Sequence, residues 1–326
     1  MSRPVKQRGV ALITVLLVVA IATVVTAGMI ARQHLSIRSS SNQLTARQAW
    51  HYALGGEALA QALLSRDLKQ AGGNPSQSVD HLREAWARKL APFEVDEGRI
   101  SVQIEDLAGR FNLNSLVVNQ KVHDTAPRRF KKLLEALKID PLFADRLVDW
   151  LDANQDRSGA SGAEDNDYLL LQPAYRAANR RLHDVSELRL LLELSERDYR
   201  RLQPYVSALP AETKLNVNTA SALVLSTLAE NMSLQQAQAL VQGREATGYR
   251  NINEFTKQDA AAGVDTNDLA FSSSFFHARS EVQLGERKRV LISVLKREAD
   301  GRVLVLQRDL GQSARVLTDK KREEQP

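Results

Sequence analysis

The sequence predicts an α+β chain: one very long N-terminal helix, a small antiparallel sheet packed on it, and a large helical region inserted into that sheet. Three observations predict this. Val10 to Ile30 is uncharged and apolar, and the helix-forming character continues without proline to Leu68. Alternating apolar and polar residues, the pattern of a half-buried strand, occur at Arg99–Glu105 and return only at Phe275–Leu284, Arg289–Lys296 and Val303–Arg308. The intervening residues 106–274 read as helix almost throughout.

The chain opens on a short basic segment, residues 1–9, carrying Arg3, Lys6 and Arg8. As a helix, Val10–Ile30 rises about 32 Å at roughly 1.5 Å per residue, enough to cross a bilayer core. The basic flank predicts that the N-terminus stays in the cytoplasm and that the rest of the chain faces the other side. A signal-anchor explains this much. A cleaved signal peptide ending at Val25-Thr26-Ala27 fits less well, because the apolar run is too long and continues past that cut. A third reading puts the important bond at Gly9-Val10.

Beyond the span, residues 31–105 comprise the rest of the stem and the first strand. Leu35, Leu44, Ala49, Ala53, Leu59, Leu63 and Leu64 form an apolar stripe at helical spacing, interrupted at most near Gly55-Gly56. Gly72-Gly73-Asn74-Pro75 is a loop, and His81–Leu90 reads as a return to helix. After the closing strands of residues 275–310, the charged tail 311–326 reads as disordered. Of the 326 residues, 43% are hydrophobic and 25% charged, an ordinary globular balance. There are no cysteines, which excludes disulfides and thiolate chemistry. The net charge of +5 is partly that of the leader, and the dispersed remainder is no nucleic-acid footprint.

The inserted region, 106–274, contains an internal repeat. Phe111-Asn112-Leu113-Asn114-Ser115 matches Leu215-Asn216-Val217-Asn218-Thr219, and His183–Leu188 matches Arg250–Phe255 as a closing signal. Asn and Thr suit helix starts, where their oxygens accept from free N–H groups. The copies resemble helix-hairpin-helix modules, so a membrane-anchored DNA receptor of a competence type is an alternative. Such modules grip phosphate through a glycine-rich hairpin. The hairpins here, Lys138-Ile139-Asp140-Pro141 and Glu230-Asn231-Met232-Ser233, carry acidic residues and no glycine, which favours a scaffold without nucleic acid.

The first copy is longer than the second, and the excess falls at 149–180. That stretch is acidic: Asp152, Asn154 and Asp156 at alternate positions, then Glu164, Asp165 and Asp167 beyond Gly159 and Gly162. Alternating oxygens resemble the first half of an EF-hand. Arg157 in place of the loop glycine, and Glu164 one residue late, exclude the standard motif. Hard oxygen ligands without Cys or His favour Ca²⁺ over zinc or copper. These six residues are the candidate metal ligands; a solvated acidic loop is the plain alternative. The 6 histidines are scattered, and neither a His-Glu-x-x-His nor a Gly-x-Ser-x-Gly run occurs, so no catalytic residue is assigned and no enzyme is expected.

A basic leader ending in Gly9 before a retained apolar helix resembles type IV prepilins and type II secretion pseudopilins. Most members carry Glu at the fifth position after the cut; here it is Thr14. That departure, with Trp150-Leu151-Asp152, Gly162-Ala163-Glu164-Asp165 and Leu215-Asn216-Val217-Asn218-Thr219-Ala220, resembles the general secretion pathway protein K family, the large minor pseudopilins. The resemblance implies a pseudopilin fold, cleavage after Gly9 by prepilin peptidase and N-methylation of Val10. It also implies two structural Ca²⁺ ions and a place at the pseudopilus tip. The implied partners are minor pseudopilins I and J, with H a further candidate, and the major pseudopilin, at the inner membrane with the globular part in the periplasm.

Overall fold

The computed structural model describes residues 8–73, 78–244 and 247–310; the rest of the leader and the expected disordered tail lie outside them. Helix α1, Arg8–Gln70, is continuous through Gly55-Gly56. Its most apolar window has mean hydropathy 2.6 and is wholly unburied, so one helix is long and apolar enough to span a membrane. Leu35 and Leu44 remain exposed, and burial begins at Ala49 and continues through Ala53, Ala60, Leu64 and Leu68. These residues lie along the face that packs on the sheet. Gly56 is required there, because a Cβ would overlap Ser280 Oγ and lie 3.1 Å from Val102 Cγ2. Next to it, Glu57 accepts from Ser293 Oγ at 2.5 Å and from Arg308 at 2.7 and 2.8 Å, tying the helix to two strands. The helix ends in a Schellman cap: Gly73 N–H reaches Leu68 O at 2.9 Å, Gly72 N–H reaches Lys69 O at 3.2 Å, and Gly72 sits at φ 91°.

The sheet is antiparallel with strands in chain order: β1 Phe93–Val95, β2 Gly98–Asp106, β3 Phe275–Leu284, β4 Arg287–Arg297 and β5 Val303–Asp309. Four strands follow the alternation read from the sequence. The short edge strand β1 was not legible. Val102, Ile104, Phe276, Ala278 and Leu295 close on Ala60 and Leu64 of α1, with Trp86 edge-on to Phe276 at 5.2 Å. The segment His81–Leu90 is a run of turns, which corrects the expected helix. Glu84 draws it into turns by accepting from His81 N–H at 2.9 Å and Trp86 Nε1 at 2.7 Å.

Between adjacent strands β2 and β3 lies the inserted region. It is far less helical than expected. Short helices α2 Ala126–Ala136, α3 Phe143–Leu151, α4 Asp165–Tyr168, α5 Glu196–Leu202, α6 Ala222–Leu225, α7 Leu234–Gln242 and α8 Ile252–Thr256 alternate with 3₁₀ turns, two-residue strand pairs and extended chain. Polar N-cap residues set where several of these helices start: Ser195, Ser221, Ser233 and Asn251 each accept from a first-turn N–H.

The repeat is written in hydrogen bonds. Asn114 exchanges two bonds with the Leu182 backbone, at 2.9 and 2.8 Å, and Asn218 does the same with Tyr249 at 2.9 and 2.8 Å. Asn112 and Asn216 each accept from the N–H two residues on, at 3.2 and 2.9 Å. After Leu182 and Tyr249, the caps Asp184 and Asn251 and the acceptors Glu187 and Glu254 play matching parts. Each copy has its own core, one around Phe130, Leu133, Leu147 and Trp150, the other around Val224, Leu225, Leu240 and Phe255. Lys132 joins them, donating from α2 to the carbonyls of Ala229, Glu230 and Met232 at 2.7–3.0 Å. Those carbonyls belong to the second hairpin, so a cation is already held there.

A candidate metal centre

Helix α3 is amphipathic, and its inner face carries Asp149 and Asp152 one turn apart beside Trp150 and Leu151. Asp152 ends the helix in an extended conformation. The chain turns where Asn154 Oδ1 accepts from Asp156 N–H at 2.6 Å, passes Gly159 at φ 67°, and returns to Asp149. There Ser158 N–H donates to Asp149 Oδ1 at 2.8 Å. Gly162 comes so near that a Cβ would overlap Asp149 Oδ2. The next turn, α4, is packed by Tyr168, fully buried and edge-on to Trp150 at 5.1 Å. Glu164 precedes it, with its N–H on Asp167 Oδ2 at 2.9 Å.

Asp149, Asp152 and Glu164 are at most 3% exposed. Asp149 Oδ2, Asp152 Oδ1 and both carboxylate oxygens of Glu164 are buried with no hydrogen-bond donor. Burial, and then the charges of Asp149, Asp152, Asp165 and Asp167, push the Glu164 carboxyl up to about 7. Asp152 is raised by burial and by Asp149, and Asp149 by burial. Buried anions without partners are costly, and a hard cation is the chemistry these oxygens fit. The residues fit the ion that the resemblance implies.

Of the six residues assigned from sequence, Asp152 and Glu164 are the two that are buried, and the charges of Asp149 and Asp152 act on Glu164. Asn154 and Asp156 stand exposed on the outer turn. Asp165 and Asp167 are engaged by Arg176 at 2.9 Å and Arg157 at 2.5 Å. Asp149 was missed, since Asp149-Trp150-Leu151 reads as helix core; its spacing to Asp152 was the available signal.

A second carboxylate cluster lies at the joint between the sheet and the inserted region. Among the described residues, Asp67, Asp80 and Glu84 are the one set with oxygens all within 4.8 Å of one another. The loop carboxylates are less tightly drawn. Arg297 fills the joint, reaching Asp67 at 3.0 Å and Asp80 at 2.6 Å. Beside it Asp106 accepts from Ser273 Oγ, Thr219 Oγ1 and Asn216 Nδ2 at 2.5, 2.6 and 3.1 Å. Burial raises Asp106 to about 6 and Glu84 to about 7.

A long apolar N-terminal helix laid along a small antiparallel sheet defines a membrane-anchored pilin-like subunit, here with a second region built into its sheet. The chain belongs to the type II secretion system protein K family. Two family profiles described as Type II secretion system (T2SS), protein K match residues 109–211 and 215–273. Type II secretion system protein K of Pseudomonas aeruginosa is 54% identical over 94% of this chain and 93% of its own length. The protein K of Klebsiella pneumoniae is 37% identical over 94% of this chain and 97% of its own length. A chain in the crystal structure of the GspK-GspI-GspJ complex from enterotoxigenic Escherichia coli superposes with TM-score 0.74 at 28% identity, over 84% of this chain and 99% of that one. The chain is thus a minor pseudopilin of the type II secretion system, and nothing in these likenesses supports a DNA receptor.

Proposed function

We propose that this chain sits at the tip of the type II secretion pseudopilus, where it is needed to assemble or initiate the fibre and so to export folded proteins across the outer membrane. The observation that carries the reading is the fold likeness to a member of the GspK-GspI-GspJ complex over nearly that chain's whole length. The Thr14 hydroxyl is bonded to Ala11 O at 2.9 Å within its own helix, so no carboxylate there is offered to the N-terminal amine of a subunit above. The inserted region broadens the subunit beyond a fibre shaft, and its two helix-hairpin-helix-like repeats serve as scaffold.

In this reading prepilin peptidase removes residues 1–9 after Gly9, and Val10 becomes the N-methylated first residue. Residues 10–30 span the inner membrane once, leaving the globular part in the periplasm of a Gram-negative bacterium. Pseudopilins I and J are the direct partners, with H and the major pseudopilin further along the fibre. Ca²⁺ at the acidic loop supplies charge neutralisation and orders the loop against α3; the chain's part is to present the oxygens of Asp149, Asp152 and Glu164 and to hold Gly162 against them.

The test is co-purification of full-length tagged chain from detergent-solubilised membranes, together with gold labelling of sheared pseudopili. Recovery of I and J in defined ratio and one label per fibre end are expected. Labels at many positions along the fibre would overturn the tip placement.

A further inference from the structure

The second hairpin of the inserted region turns its backbone oxygens onto one point. Met232 N–H closes the turn on Ala229 O at 3.2 Å. The carbonyls of Ala229, Glu230 and Met232 converge on the Lys132 ammonium at 2.7, 3.0 and 2.8 Å. An ammonium has three donors and no acceptor, so all of its donors are spent on backbone oxygen. The lysine comes from the other copy, on α2: its neighbour Leu133 is part of the first core, whereas Met232 belongs to the second. Burial lowers the Lys132 pKa from its ordinary value, and the charges of Glu230 and Glu135 oppose that. The first hairpin differs. There the carbonyls of Asp140 and Pro141 are taken by N–H groups of α3, Phe143 at 3.3 Å and Ala144 at 3.0 Å.

Converging backbone carbonyls can replace the hydration shell of a monovalent cation. Contacts of 2.7–3.0 Å suit an ion of ammonium size, whereas Ca²⁺ sits about 2.3–2.6 Å from its oxygens. We propose that the second hairpin is a carbonyl site for a monovalent cation of ammonium size, and that Lys132 fills it from the first copy and so pins the two copies together. The tethered ammonium closes the hairpin to an ion from solution. This inference does not depend on the tip placement or on the acidic loop.

The test uses the full chain in detergent. Lys132→Ala strips the hairpin oxygens of their donor, and a cleft of about 460 Å³ between α2 and the hairpin opens on them. With the lysine gone, Arg128, Arg129 and Lys131 around that cleft balance Glu135, Glu230 and Asp265, so no net charge bars an incoming cation. The melting temperature of the variant is expected to fall and to recover in ammonium or potassium chloride. Tetramethylammonium chloride of equal ionic strength, whose cation is too large for the site, should not restore it. Lys132→Met, whose apolar end occupies the space, should fall without recovery in any salt. No fall in either variant, equal recovery of the Ala variant in every salt, or none in any, would overturn the site. Should neither variant fold, acylation of the unaltered chain by an amine-reactive ester, read by mass spectrometry, decides. Lys132 is expected to react at least about tenfold more slowly than Lys138, exposed on the first hairpin, since one charge-assisted hydrogen bond is worth that factor. Equal rates would overturn the assignment.

Discussion

At the joint, Asp67, Asp80 and Glu84 crowd their oxygens together and Arg297, itself buried, enters from β4 to meet two of them. In the loop, Asp149, Asp152 and Glu164 are all buried, whereas Asp67 and Glu84 are half-buried, yet among the described residues no side-chain cation pairs with the loop set. Both regions place carboxylates under protein and both raise their pKa values by burial. The joint carries its counter-charge in the sequence and is closed once the chain folds. On the cation reading proposed above, the loop would take its counter-charge from solution, a conditional fastening beside the constitutive one at the joint.

Removing the internal cation breaks this comparison most severely. Arg297→Met leaves Asp67 and Asp80 buried beside each other, and the loss of one partner from a buried pair costs about 3–5 kcal/mol. Chemical denaturation is expected to show that loss, with the sheet and the inserted region separating into two transitions. A single unshifted transition would mean that the joint is not held by Arg297.

The loop is expected to respond to solution in a way that the joint does not. With Ca²⁺ at roughly 100 times its dissociation constant, mass action adds about 2.7 kcal/mol to the folded state. Differential scanning calorimetry should place that gain in the inserted region and lose it in chelator. Glu164→Ala should abolish the Ca²⁺ response, and the exposed Asp156 should matter little. An equal response in Glu164→Ala would remove the distinction between the regions.

The joint has a pH dependence of its own. Asp106 and Glu84 have folded values of about 6 and about 7, above the usual carboxylate range of about 4. They bind more protons folded than unfolded, so their contribution is present at low pH and is lost as pH rises through the folded values. Melting temperature should therefore fall between about pH 4 and pH 7, and Glu84→Gln with Asp106→Asn should flatten that slope. A slope unchanged in the double variant would show that these groups are not responsible.

Much of this architecture was legible because it is local. Arg99–Glu105 and Phe275–Leu284 alternate in sequence because one face of each packs on a helix, and the strands appear almost as read. The Asn-x-Asn pairs were visible because both copies need the same side chain to hold the same backbone. The joint was not legible. Asp67, Asp80, Asp106, Ser273 and Arg297 lie on separate segments, brought together by the packing of α1 on the sheet and by the pairing of β3 with both β2 and β4. Asp149 was hidden differently: one residue from Trp150, it obeys the helix pattern, and its spacing to Asp152 was the one sequence signal; in the fold, Gly162 comes close beside it. The turns at His81–Leu90 answered to Glu84, whose two bonds outweigh a weak helical preference.

The ends of the inserted region lie at neighbouring positions in one ladder, with Asp106 directly opposite Phe276. Between hydrogen-bonded strands this is the place where a hairpin turn of about two to five residues would ordinarily sit. Residues 107–274 occupy that place without disturbing the register on either side. The ladder thus tolerates an excursion of this length at a hairpin tip, and the host strands pair on either side of it as they would around a short turn.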